Sequence, residues 1–146
     1  MKVIFLDYDG VLNTNKTPTK MVGDVMTMAE PTLVFTLNKL VDKSEAELVL
    51  SSSWRNLPNW EDAMKKSGII KKFYGKTPET KDGVEGPRGV KIQAWLDKHP
   101  EVERYAIIDD CDDMTEGQMP NFFQTDEEVG LTEEIADKIL THLSDA

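Results

Sequence analysis

The chain is poor in cysteine and, over its last third, nearly devoid of positive charge. Its single cysteine, Cys111, has no internal partner. That excludes a disulfide-stapled fold and suits a reducing compartment such as the cytoplasm. Long apolar runs are missing as well. The first, Val3–Leu6, is four residues long and then meets Asp7, too short for a membrane span or a secretory signal. Basic residues are scarce late in the chain, where Lys138 is the only one after Arg104. Residues 1–80 hold 11 Lys/Arg against 10 Asp/Glu, residues 81–146 hold 6 against 17, and the net charge is −10. Such a field repels phosphate backbones, which argues against a broad nucleic-acid footprint or an anionic membrane surface.

What is present reads as one globular domain over residues 1–146. The 39% hydrophobic and 30% charged composition is ordinary for a folded chain, and 146 residues suffice for one core. Val3–Leu6, Leu48–Leu50, Tyr105–Ile108 and Asn121–Gln124 read as strands. Continuous apolar runs of this kind suit parallel strands covered on both faces. Helical patterns fall between them. Pro31 opens Thr32–Val41, Asn59–Lys66 is a shorter helix, and Val90–Lys98 stops before Pro100. The last helix follows Thr132 and carries the apolar stripe Ile135, Ile139, Leu140 and Leu143. Strands alternating with helices indicate an α/β layered fold with a mainly parallel sheet. Asn13–Glu30 and Pro78–Pro87 are left as long irregular stretches, a common setting for function.

Three apolar runs end in groups suited to chemistry. Val3–Leu6 leads into Asp7-Tyr8-Asp9-Gly10, Leu48–Leu50 into Ser51-Ser52-Ser53, and Tyr105–Ile108 into Asp109-Asp110. Ligands of open parallel sheets bind beyond the carboxyl ends of the strands, so neighbouring strands would bring these groups into one crevice. Facing carboxylate clusters repel unless a cation lies between them, and an all-oxygen donor set favours a hard ion, Mg²⁺ above zinc or copper. An EF-hand does not fit, because the glycine comes fourth in the loop and no helix precedes it.

In this order and setting the motifs resemble the haloacid dehalogenase superfamily of phosphatases and phosphotransferases. The hydrophobic-DxDG-hydrophobic signature is matched by Phe5-Leu6-Asp7-Tyr8-Asp9-Gly10-Val11-Leu12, the strand ending in a hydroxyl by Leu48-Val49-Leu50-Ser51, and the acidic motif by Ile107-Ile108-Asp109-Asp110, with Asp113 beyond. Arg88 and Lys91 compete for the basic position. Ser52-Ser53-Trp54-Arg55 and Ala94-Trp95-Leu96 look like small members of the superfamily, including phosphatase-like domains linked to RNA repair. The resemblance implies a Rossmann-like three-layer sandwich. Asn13–Glu30 is too short for an independent cap, so the site should be open, gated at most by that loop.

The resemblance also implies roles. Asp7 would attack phosphorus to form an aspartyl-phosphate, and Asp9 would serve as acid and then base. Ser51 and Arg88 or Lys91 would bind phosphoryl oxygens. Mg²⁺ would be held by Asp7, the Asp9 main-chain carbonyl and Asp109, with Asp110 or Asp113 nearby. Ser52, Trp54, Arg55, Lys16 and Lys20 are candidate substrate contacts, Trp54 by stacking on a base and Arg55 on a second phosphate. The implied function is a Mg²⁺-dependent phosphomonoesterase acting on a phosphorylated substrate, a nucleotide or nucleic-acid terminal phosphate by preference. A non-catalytic binding or regulatory module, a phosphatase of another small metabolite or of a phosphoprotein, and a receiver-like domain are the competing readings. The DxDG spacing argues against the last. His99 and His142 are read as surface or helix-end residues instead of ligands, and Cys111 is not read as a nucleophile, since among acids it has an unfavourable thiolate.

Overall fold

A computed structural model of the chain describes residues 1–144. Strand β1 (Lys2–Leu6) is central, as its unbroken apolar run requires, with Val3 to Leu6 fully buried. Strands β2 (Lys20–Val22) and β3 (Val25–Thr27) form a separate antiparallel hairpin. Helix α1 (Pro31–Ser44) starts with proline in its first turn and ends at Glu45, whose φ of 59° breaks the helix. Strand β4 (Glu47–Leu50), helix α2 (Trp60–Lys66) and the two-residue β5 (Gly75–Lys76) follow. Helix α3 (Arg88–Asp97), strands β6 (Arg104–Asp109) and β7 (Phe122–Gln124), and helix α4 (Glu133–Leu143) complete the order.

The five strands of the main sheet are all parallel, in the order β5-β4-β1-β6-β7. The chain therefore builds outward from β1 to one edge and returns to build the other, with its switch point at β1. Alternate residues of β1 face opposite ways, and both sets are buried. Ile4 and Leu6 join Leu37, Leu40, Met64 and Ile139 from α1, α2 and α4 on one face. Val3 and Phe5 join Ile92 and Trp95 of α3 on the other. This is the three-layer, mainly parallel α/β arrangement expected from the sequence.

Three local expectations change. The stretch 13–30 contains the β2–β3 hairpin, turned at Gly23-Asp24, with Val25 and Thr27 buried. Strand β5 escaped notice because two residues carry no periodicity. Helix α3 begins at Arg88, two residues before the expected start, because Asp113 caps its first turn. The Asp113 carboxylate accepts from the Arg88 main-chain N–H at 3.3 Å, and its carbonyl accepts from Gly89 at 3.2 Å.

Candidate active site

Register assembles the site. Leu6 pairs with Leu50 on one side and with Ile108 on the other. The next residues, Asp7, Ser51 and Asp109, therefore stand side by side at the carboxyl ends of three adjacent strands, about 5 Å apart. Hydrogen bonds continue the ladder one step past the strands, from Ser51 N–H to Leu6 and from Asp7 N–H to Ile108. All three side chains are buried. Ser51 Oγ has no hydrogen-bond partner among the described residues, so a buried hydroxyl beside Asp7 is left for a ligand to satisfy.

Arg88 closes the cluster from the start of α3. Its Nη1 lies 3.1 Å from Asp7 Oδ1 and 2.6 Å from Asp109 Oδ2. Of the two basic candidates, Arg88 is the one that meets both carboxylates. Lys91 lies one turn further along α3 and pairs with neither. One guanidinium cannot offset two buried carboxylates. Burial, followed by repulsion from Asp109, pushes the Asp7 carboxyl up to about 8, although Arg88 pulls the other way. Burial also raises Asp109, against the pull of Arg88 and of the Cys111 N–H, which donates to Asp109 Oδ1 at 3.0 Å. Burial works against the Arg88 charge, but the two carboxylates outweigh it and raise that pKa above its ordinary value.

This surplus of buried negative charge fits a divalent cation. The donors are oxygens, as a hard ion such as Mg²⁺ requires. Asp109 and Asp110 bring carboxylate oxygens within 4.8 Å of each other, with the Cys111 sulfur as near, and Asp110 is half-buried over the Asp7–Gly10 turn. Gly10 has φ +79°, and a Cβ there would collide with the Asp110 carboxylate, so the close approach demands glycine. Asp110 is thus the acid placed beside Asp109. Asp113 is exposed and its carboxylate accepts the Arg88 main-chain N–H at the start of α3, so it stands further from the cluster's carboxylates than Asp110 does in sequence and is engaged by the helix. The Cys111 thiol is pushed up to about 11 by lost solvation and by Asp110, Asp109 and Asp113, which disfavours a thiolate there.

Asp9 is exposed at the mouth of the crevice, yet its carboxylate is held. Asn13 Nδ2 donates to Oδ1 at 2.9 Å and Trp54 Nε1 to Oδ2 at 3.2 Å. Asn13 also accepts the Gly10 N–H at 3.0 Å, and Thr125 Oγ1 donates to the Gly10 carbonyl at 2.7 Å. Sequence reasoning passed over Asn13 and Thr125. The asparagine three residues after an Asp-Gly turn is a signal for such a side-chain-to-backbone lock, whereas Thr125 is brought in from just past the end of β7 and carries no local signal.

The Ser51–Arg55 segment turns inward, which corrects three proposed substrate contacts. Ser52 is buried and its hydroxyl accepts the Trp54 N–H at 3.2 Å, starting a short 3₁₀ turn over Ser53–Asn56. Trp54 is buried and stacks on Tyr8 at 4.2 Å and 27°, so that ring face is not free for a base. Arg55 is also buried. Its guanidinium donates to the carbonyls of Ser51, Ser52, Thr77 and Pro78 at 2.8–3.3 Å, which leaves it tying β4 and β5 together instead of reaching a second phosphate. Lys16 and Lys20 are exposed, Lys20 on β2 of the hairpin. His142 bonds the Tyr105 carbonyl and Asn121, and His99 stacks on Trp95; both are structural.

A surface depression of about 500 Å³ is walled by Asp110, Cys111, Gln124, Thr125, Asp126 and Glu127, with Asp110 the one proposed site residue in its lining. A second hollow of about 440 Å³ between α2 and residues 69–73 holds none of these groups. Residues 3–136 match the family described as the HAD domain in Swiss Army Knife RNA repair proteins. No curated protein sequence matches the chain.

Proposed function

Because the chain belongs to the family of HAD domains in Swiss Army Knife RNA repair proteins, we propose that it is a Mg²⁺-dependent phosphomonoesterase that removes a terminal phosphate from a nucleotide or nucleic-acid end. The observation that carries this reading is the cluster at the strand ends. Two adjacent buried carboxylates share one guanidinium, beside a buried hydroxyl without a partner among the described residues. A metal–phosphate pair would complete such a cluster, supplying a cation for the carboxylates and acceptor oxygens for Ser51 and Arg88. The repair-protein family favours a nucleic-acid end as substrate, and the net charge of −10 favours a grip confined to that end.

Each residue then has a task. The Asp7 carboxylate attacks phosphorus, forming an Asp7 O–P bond as the bond from phosphorus to the leaving oxygen breaks. Asp9 gives its proton to that oxygen. It then takes a proton from a water whose oxygen attacks phosphorus and breaks the Asp7 O–P bond, returning the free carboxylate. Ser51 and Arg88 donate hydrogen bonds to the phosphoryl oxygens as negative charge gathers there. Asp7, the Asp9 main-chain carbonyl and Asp109, with Asp110 beside them, would hold Mg²⁺, which offsets phosphate charge and lets an anion enter an acidic crevice. Burial and Asp109 push the Asp7 carboxyl up to about 8 even with Arg88 beside it, and a cation held there would favour its ionised, nucleophilic form. The β2–β3 hairpin and its preceding turn, with Lys16 and Lys20, form a substrate-gating element in place of a cap. A reducing compartment such as the cytoplasm suits the exposed Cys111.

A phosphate-release screen tests the proposal, run with and without Mg²⁺ over nucleotides, 5′- and 3′-phosphorylated oligoribonucleotides, sugar phosphates and phosphopeptides. Mg²⁺-dependent release, greatest on one oligonucleotide end, is the expected result. Uniform inactivity contradicts it and favours a binding module built on the same fold.

A further inference from the structure

We propose that Trp54 and Asn13 are positioning residues that together fix the carboxylate of Asp9 as the proton carrier, an inference that rests on the phosphomonoesterase reading. Asp9 is exposed, and an exposed carboxylate left alone turns freely about its Cβ–Cγ bond and samples several rotamers. Here each oxygen is bound to a different element. Oδ1 accepts from Asn13 in the turn after β1, and Oδ2 accepts from Trp54 in the 3₁₀ turn after β4. Rotation breaks both bonds at once.

The two donors are themselves fixed. Asn13 is buried and accepts the Gly10 N–H through its other side-chain atom. Trp54 is buried, packed in parallel on Tyr8, with its main chain capped by Ser52. Tyr8 in turn shares a hydrogen bond with Ser67 at the end of α2 and accepts the Met28 N–H from the end of the hairpin segment. The orientation of Asp9 is thereby tied to four parts of the chain.

The chemistry of the donors suits the role. An indole N–H and an amide NH₂ can donate but cannot take up a proton. They hold the carboxylate without competing for the proton it must deliver. A lysine or histidine in either position would compete. The Ser-Ser-Trp-Arg segment thus acquires a function without touching the substrate.

The test uses the dependence on leaving group. Nitrophenolate departs without protonation, whereas a benzyl alkoxide needs a proton from Asp9. The ratio kcat/KM reports the first transfer to Asp7, so loss of Asp9 alignment should appear with the basic leaving group alone. In the full chain with Mg²⁺, Trp54→Phe keeps a ring against Tyr8 and removes the donor. Asn13→Asp keeps the acceptor for Gly10 and replaces the donor. Each variant is expected to lower kcat/KM on benzyl phosphate by about 10–100-fold while p-nitrophenyl phosphate changes by less than about threefold. If Trp54→Phe fails to fold, Asn13→Asp carries the measurement. Equal losses on both substrates, or no loss on either, would overturn the inference while leaving the phosphatase intact. A wild-type chain inactive on both would remove the phosphomonoesterase reading and this inference with it.

Discussion

Replacing Asp7 with asparagine is expected to make the metal-free protein more stable while abolishing its activity. Asp7 is buried beside Asp109, and its carboxyl is pushed up to about 8 from an ordinary value of 3.8, first by burial and then by Asp109. Below pH 4 the folded and unfolded chains both hold this proton, and it has no effect on stability. Between pH 4 and 8 the unfolded chain gives the proton up and the folded chain keeps it, so stability falls by up to about 1.4 kcal/mol per pH unit. By pH 7.5 the accumulated cost has a ceiling of about 5 kcal/mol, and sharing of charge with Asp109 and Arg88 reduces it. An amide in this place does not titrate, so Asp7→Asn removes the cost while keeping a polar group for Arg88. A gain of about 1–3 kcal/mol remains, which for a domain of this size raises Tm by roughly 3–10 °C. The assay is thermal unfolding in EDTA from pH 5 to 8.5. Wild type should lose stability as pH rises, and Asp7→Asn should lose much less. Added Mg²⁺ should stabilise wild type more than the variant, because binding to the folded state alone raises Tm. Turnover of Asp7→Asn should fall at least about 10³-fold. Equal or lower stability of the variant in EDTA at pH 7.5 would refute the claim that Asp7 is a buried carboxylate short of counter-charge.

Other substitutions probe the supports of the site. Arg88→Met leaves the Asp7 and Asp109 carboxylates without their guanidinium, and urea unfolding in EDTA should show a loss of about 3–5 kcal/mol at pH 8, smaller at pH 5 where the carboxyls protonate. Arg55→Met deletes four bonds to main-chain carbonyls, three of them buried, and should cost about 3 kcal/mol or more by the same assay, with loss of activity following loss of fold. Gly10→Ala forces a Cβ onto the Asp110 carboxylate at φ +79°. It should weaken Mg²⁺-induced stabilisation in a thermal-shift titration and cost about 1–3 kcal/mol in its absence.

The parts of the molecule that could be read from the sequence are those governed by local pattern. Val3–Leu6 is unbroken and apolar because a central parallel strand buries both faces, and the same holds for Leu48–Leu50 and Tyr105–Ile108. Once those three runs are neighbours, the register Leu6–Leu50 and Leu6–Ile108 places Asp7, Ser51 and Asp109 together with no further information. The parts that stayed hidden depend on contacts distant in sequence. Arg55 looks available for a second phosphate until Thr77 and Pro78, from the far side of α2, supply carbonyls for its guanidinium. Trp54 looks available for stacking until Tyr8 covers it. The hydrogen bond from Asp113 to the start of α3 is equally hidden, because the helix begins two residues before its apolar pattern does. The hairpin is a different case. Its Val22-Gly23-Asp24-Val25 turn is a two-residue hairpin signal, lost among the polar and methionine residues around it.

The most direct test of the account is a trapping experiment on wild type. A phosphorylated oligoribonucleotide that the chain turns over is mixed with it in Mg²⁺ and quenched in acid within one turnover. Borohydride then reduces any acyl phosphate, and the modified residue is located by mass spectrometry. Homoserine at position 7, absent without Mg²⁺ and absent in Asp7→Asn, is the expected result. Phosphate release with residue 7 unmodified throughout the turnover would contradict a covalent reaction at Asp7.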